Sequence, residues 1–318
     1  MSPTPNILSE FVIYAIIYSN NMAGINNNNR QTISVVLATF NEENNIKPCL
    51  DSVKGWVDEM VVVDESSTDK TREIAESLGA KVYTEPHEQI FHITKNKAIN
   101  KAKSDWILQL DADERITPEM KHEILEILAG KYFGYDSWLS PLRRSINKFL
   151  PLFSVPRPLK EAASAYWLPR KNFFLNRYFY HAAQYPDPVI RLFQKGKAIL
   201  PAKDVHEQME VKGVTGWLKS DLDHFATPNF SRYLLREDRY SSLQARFYKE
   251  QGLRITILNT LNYLFLKPLT TFLSLYIRHR GFLDGFPGFV FSLYSGFHHA
   301  FSYMKLWEMY KDEQWKKR

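Results

Sequence analysis

Apolar and polar positions along the first third of the chain predict strands and helices in strict turn. Residues 33–39, ISVVLAT, form a continuous aliphatic and β-branched run, the pattern of a strand covered on both faces. Residues 42–54 follow with Ile46, Leu50 and Val53 on one helical face. A second strand over 60–63 ends at Asp64. Ser66-x-x-Asp69 then predicts a capping box opening a helix that stops at Gly79. Residues 81–84 are a third short strand, followed by a helix to about Lys103. Residues 106–110 are a fourth strand delivering Asp111 and Asp113, and Thr117-Pro118 opens the next helix. Strands alternating with helices of this length indicate an α/β fold with a mostly parallel sheet.

Beyond residue 135 the alternation fails. Residues 136–200 are rich in proline and aromatics and end in PDPVIRLFQKGKAILP, a strand, turn and strand around Lys195-Gly196. Residues 228–252 predict an exposed, charged helix. The tail over 255–307 is apolar but broken by Pro268, Asp284, Gly285, Pro287 and Gly288, so no run reaches the ~20 apolar residues of a membrane span. Arg278, His279 and Arg280 close its first apolar stretch, as interfacial helices often do. The organisation expected is residues 1–31 outside the fold, a catalytic domain over 32–227 with halves at 32–135 and 136–227, and a helical, membrane-proximal appendage over 228–318. The apolar stretch 7–18 is interrupted by Glu10 and lacks the basic flank of a signal peptide, and Met22 is a second candidate start.

Charge sharpens this division. Net charge is +6, but 141–180 carries eight Lys/Arg against Glu161 alone, and 254–318 carries nine against four acids. Basic charge among aromatics suits nucleic acid or an anionic membrane surface. For 141–180 it suggests a lid over a phosphorylated glycolipid, or an ordinary surface. The single cysteine, Cys49, demands no oxidising compartment.

The candidate chemistry lies at the strand ends, where open α/β sheets bind ligands. Neither G-x-G-x-x-G nor G-x-x-x-x-G-K-[ST] occurs, so carboxylates gathered there point to a metal-bridged nucleotide rather than one cradled by backbone amides. Asp111 and Asp113, two positions apart, suit Mg²⁺ or Mn²⁺, hard ions that take oxygen ligands and keep phosphates as partners. The plain alternative is a solvated acidic turn. Asp64, among Glu65, Ser66, Ser67, Thr68 and Asp69, suits a base imide or a ribose hydroxyl, or it only caps a helix. The same choice holds for Asn41 and the acids after Thr39.

Taken together, ISVVLATFNEE, VVVDESSTDKT and LQLDADE, in this order over roughly 33–135, resemble the inverting glycosyltransferases of family 2. The resemblance implies a Rossmann-like nucleotide-diphospho-sugar transferase fold of GT-A type. It implies that Thr39, Glu42 and Asp64 line a uracil and ribose pocket, with Asn41 and Asp69 counted beside them. Asp111 would contact ribose or the metal, and Asp113 the divalent cation on the diphosphate. Glu65 departs from the family, which more usually has a small residue there. HITKNKAINKAKSDWILQLDADE, with DPVIRLFQKG and VHE, looks like the branch of lipopolysaccharide-core β-1,4-glucosyltransferases.

In that family a carboxylate near the acceptor is the base. Glu207 is the favoured candidate and Asp187 the reserve, with His206 completing the metal shell and Arg191 on the diphosphate or on an acid. The expected reaction is single displacement from a UDP-sugar, glucose being the family-based guess. The acceptor would be a saccharide or glycolipid of the cell envelope, met at the cytoplasmic face of the membrane, with no nucleic acid involved. Two other readings stand beside it: a nucleotidyltransferase, disfavoured because TFNEEN is neither glycine-rich nor basic, and a non-catalytic nucleic-acid- or membrane-binding protein. Zinc hydrolysis is disfavoured, since the chain has no H-E-x-x-H and no cysteine cluster.

Overall fold

Strand β1, Ile33–Thr39, is buried along its whole length, as its unbroken apolar pattern requires. It pairs in parallel with β2, Glu59–Asp64, which in turn pairs in parallel with β3, Lys81–Thr84. On its other side lies β4, Trp106–Gln109, also parallel. These are the four strands the pattern predicts. The computed structural model describes residues 30–137, 157–201, 208–227 and 229–316. The chain divides into two units: Met1–Leu110, Pro118–Trp167 and Ile190–Lys219 in the first, and Asp111–Thr117, Leu168–Val189 and Ser220–Arg318 in the second.

In the first unit, helices α1 (Ile46–Asp51), α2 (Thr71–Ser77), α3 (Phe91–Lys101) and α4 (Pro118–Leu128) join or follow the strands. Val36, Val61, Val63, Ala98, Ile107 and Phe193 share one buried cluster. Burying a side chain of this size stabilises by roughly 1.5–3 kcal/mol. The strand over residues 187–194 pairs antiparallel with β4 through Leu192–Gln194, so the sheet is mixed rather than mostly parallel.

One local expectation is corrected. Helix α2 starts at Thr71, preceded by Lys70 with no side-chain cap, so the Ser66-x-x-Asp69 box does not form. Ser66 sits at φ 58, and Ser67 is turned onto Asp64 instead. The strand, turn and strand expected around Lys195-Gly196 form as Asp187–Gln194 and Ala198–Ile199. The second, Ala198–Ile199, pairs antiparallel with Glu210–Val211.

In the second unit, β5 (Glu114–Ile116) pairs antiparallel with the strand Leu222–Thr227, which also runs parallel to the end of the strand Ala165–Phe174. The predicted charged helix is α5, Phe230–Glu250, capped by Asn229 accepting from the Arg232 amide at 2.9 Å. Then come α6 (Ile257–Leu261) and α7 (Lys267–Leu273), each followed by a five-residue π-helical turn, and the long α8, Gly285–Lys316. Phe174, Phe179, Tyr233 and Val290 form one buried cluster here, and Ala245, Tyr263, Tyr303 and Leu306 another. Among the described residues no helix is long and apolar enough to cross a membrane.

Two glycines of α8 are demanded by close approach. A Cβ on Gly296 would meet the Pro268 carbonyl at 2.6 Å, and one on Gly288 would meet the Gly281 carbonyl at 2.0 Å. Backbone cannot yield as a side chain can, so Gly288→Ala is expected to lower unfolding free energy by about 2 kcal/mol or more. Urea denaturation followed by circular dichroism measures it.

Candidate active site

Parallel pairing sets Thr39 opposite Asp64 at the carboxyl ends of β1 and β2. Both are fully buried, and a buried carboxylate needs partners. Asp64 Oδ1 accepts from Thr39 Oγ1 at 2.9 Å and from Ser67 Oγ at 2.5 Å, while Oδ2 accepts the Ser67 amide at 2.8 Å. Arg72 Nε lies 3.8 Å away. The other acids of the first unit knit the same edge. Ser67 Oγ accepts the Asn41 amide at 2.8 Å, and Asn41 Oδ1 accepts the Thr68 amide at 2.9 Å. Thr71 Oγ1 accepts the Glu42 amide at 2.8 Å. Burial pushes the Asp69 carboxyl up, but hydrogen bonds from the Thr71 hydroxyl and from the Glu43 and Thr71 amides outweigh it and hold the group below its ordinary value. Thr39, Asn41, Glu42, Asp64 and Asp69 therefore share one hydrogen-bonded edge.

Glu65, the departure from the family pattern, is also fully buried. It accepts from Thr94 Oγ1, and its Oε2 lies 2.6 Å from His87 Nδ1. The exposed His87 ring leans on Phe40, centroids 4.8 Å apart. Glu65, with a longer side chain than the family's usual residue, thus fixes an exposed His–Phe pair directly after β1 and β3.

The second unit holds the D-A-D segment. Glu114, fully buried, accepts the Asp111 amide at 3.0 Å and Arg170 Nη1 at 3.3 Å. Arg170 also grips Asp187 Oδ2 with Nε at 2.9 Å and Nη2 at 2.5 Å. His224 Nε2 lies 3.5 Å from Asp113 Oδ2, and its Nδ1 lies 2.5 Å from Asn172 Oδ1. An amide oxygen only accepts, so Nδ1 donates to Asn172 and the ring is held with Nε2 facing the Asp113 carboxylate. Burial and the Asp111 charge push the Asp113 carboxyl up, but His224, with Arg170 beyond it, prevails and holds it below its ordinary value.

This arrangement suits a divalent cation. Two cis ligands of an octahedral ion stand about 3 Å apart, close to the Nε2–Oδ2 spacing. The connected group sets four carboxylates, Asp111, Asp113, Glu114 and Asp187, against two guanidiniums, Arg115 and Arg170. In this group the acids outnumber the guanidiniums. Among the described residues no group of three His, Cys, Asp or Glu side chains converges on one point, so water and phosphate oxygens would complete such a shell, as they commonly do for Mg²⁺.

Arg191 is buried in the first unit and donates to Gln109 Oε1 at 2.5 Å. Asp187, the reserve base, is held by Arg170 and by Asn172 Nδ2 at 3.3 Å. Glu207 and His206 lie outside the described residues, as does the part 141–156 of the basic stretch 141–180. His224, Asn172 and Arg170 were not anticipated. The available signal was LDHFAT, where His224 takes the same inward-facing position as Leu222, two residues earlier.

Residues 34–197, just over half of the 318, match the sequence model of the family described as Glycosyl transferase family 2. A protein of Rickettsia felis described as an uncharacterized glycosyltransferase is 29% identical over 271 residues, covering 84% of this chain and 86% of that one. A Rickettsia bellii protein of the same description is 42% identical over 117 residues, or 36% of this chain and 40% of that one. A solved structure of Mycobacterium tuberculosis glucosyl-3-phosphoglycerate synthase with Mn²⁺, UDP and glucosyl-3-phosphoglycerate is 25% identical. It covers 42% of this chain and 48% of that one at a TM-score of 0.28, so this chain spans under half of that protein and the likeness adds nothing to the fold assignment.

Replacing Asp64 by Ala strands the Ser67 amide and two hydroxyls in the interior, and is expected to lower unfolding free energy by about 2–3 kcal/mol in urea titration. Asp69 gives a pH test. Its depressed carboxyl stabilises the fold above the ordinary aspartate value, and that contribution is lost as pH falls through the folded value. The stability gap between wild type and Asp69→Asn is therefore expected to be open at neutral pH and to close in acid.

Proposed function

The chain belongs to glycosyltransferase family 2, and we propose that it is an inverting enzyme moving a hexose, with glucose the first candidate, from a UDP-sugar to a saccharide or lipid-linked acceptor of the cell envelope. The observation that carries this reading is the Asp113–His224–Asn172 arrangement, with Asp113 directly after the fourth strand. Resemblance to the lipopolysaccharide-core branch favours a cell-envelope acceptor.

In this reading Asp113 and His224 hold the divalent cation, with Asp111 beside them, and Asn172 fixes the His224 tautomer as outer partners of metal-bound histidines do. The bound cation would offset charge on the departing diphosphate. Thr39, Asn41, Glu42, Asp64 and Asp69 form the nucleoside side. Because Asp64 already has its oxygens filled by Thr39 and Ser67, its part is to hold that edge rigid, leaving base and ribose to exposed groups such as Asn41. Glu207 takes the proton from the acceptor hydroxyl while that oxygen attacks the anomeric carbon opposite UDP, and a single displacement inverts the centre. Asp187 is the weaker candidate because Arg170 engages it from two nitrogens.

The test is UDP release from a panel of UDP-sugars, with and without Mn²⁺. One donor is expected to turn over only with the metal. Asp113→Ala and His224→Ala should each reduce kcat by at least about a hundredfold, and Asn172→Ala by about tenfold to a hundredfold. Turnover that ignores both the metal and the Asp113 substitution contradicts the proposal. A fall in kcat with little change in KM for Glu207→Gln, and not for Asp187→Asn, would assign the base.

A further inference from the structure

The segment 257–278 repeats exposed apolar side chains every four residues. Ile257, Leu261, Phe265, Leu269, Leu273 and Ile277 are between 42% and 81% exposed. In a pure α-helix such a row rotates about 40° per step, or roughly 200° over five steps, and would wind from solvent into the core. Two π-helical turns, Asn262–Leu266 and Ser274–Arg278, interrupt this helix. Each inserts about one residue and turns the row back by about 100°, so the two together cancel the drift. The backbone is thus arranged to keep a straight apolar row outward for roughly 30 Å. On the inner side, Tyr263 and Pro268 are buried, Tyr263 stacking on Tyr303 at 5.2 Å. The row continues into the next segment, where Tyr276 meets Phe282 and Phe289 at 6.2 and 5.8 Å and Phe286 is 72% exposed.

We infer that this face is a docking surface for an anionic lipid bilayer, on which the helix lies in the interface plane. The charge pattern selects that occupant. Residues 251–283 contain no Asp or Glu, while Arg254 stands at one end of the row and Arg278 and Arg280 at the other, all exposed. Acidic headgroups complement both ends, and the apolar row enters the acyl boundary. A second copy fits poorly, because antiparallel pairing of the row would set arginine against arginine with no acid between them. Among the described residues no helix is long and apolar enough to cross a membrane, so the attachment is peripheral, at a leaflet as anionic as the cytoplasmic one. Docking does not depend on the transferase reading. Its consequence, that a lipid-linked acceptor is met in two dimensions, does.

The test is flotation of the full chain with vesicles of phosphatidylcholine alone and of phosphatidylcholine mixed with phosphatidylglycerol. Wild type is expected to float with the anionic vesicles and to be released by salt. The triple variant Leu261→Gln, Phe265→Gln, Leu269→Gln should lose about a hundredfold in partitioning, while its circular dichroism and UDP binding stay unchanged. Phe265→Gln alone should move the same way by less, which covers the case of a triple variant that fails to fold. Arg278→Gln with Arg280→Gln should weaken anionic binding specifically. Wild type remaining unbound to both vesicles overturns the inference, as does flotation indifferent to the apolar substitutions. Concentration-dependent dimers abolished by the triple variant, without flotation, would assign the face to a second copy instead.

Discussion

A single carboxylate, Asp64, fixes the edge on which Thr39, Asn41, Glu42 and Asp69 sit. Parallel pairing of β1 and β2 carries it inside the protein opposite Thr39. A charge so placed has to be surrounded by donors. Thr39 and Ser67 supply them, and recruiting Ser67 draws the following loop back over the strand end. That loop then holds Asn41 and Thr68 in place, and Thr71, bonded to the Glu42 amide, becomes the first residue of the next helix. Each hydrogen bond contributes only about a kilocalorie per mole net. The cost of leaving any one of them unmade is what makes the arrangement unique.

The D-A-D segment is governed by the opposite condition. At Asp64 the carboxylate oxygens are satisfied from within, whereas around Asp113 the acids outnumber the guanidiniums. Arg170 is spread between Glu114 and Asp187, and Asn172 orients the His224 ring so that Nε2 faces Asp113. In the proposed reading the first condition suits a rigid edge beside a nucleoside, and the second suits a divalent cation.

Much of this was legible in the sequence. The four strand runs and the two acidic strand ends follow from hydrophobic patterning, β1 and β4 as continuous buried runs and the mostly exposed β3 from its place in the strand–helix alternation. The Ser66–Asp69 box misled because local capping chemistry competes with the buried Asp64 carboxylate two residues before it, and the buried charge wins. His224 escaped notice because its role depends on Asn172 and Asp113, which lie far from it in sequence and meet it only through strand pairing. The every-fourth-residue row over 257–277 was visible as letters, but its meaning required the π turns that hold it straight. Glu207 rests on the family resemblance alone.

The most direct test of the central claim is calorimetric titration of UDP into the full chain, with and without Mn²⁺. The account predicts that the metal tightens UDP binding by at least about tenfold in wild type, and that this coupling vanishes in Asp113→Ala while the weaker metal-free binding survives. UDP binding that is absent under both conditions, or equally tight in both and indifferent to Asp113, would contradict it.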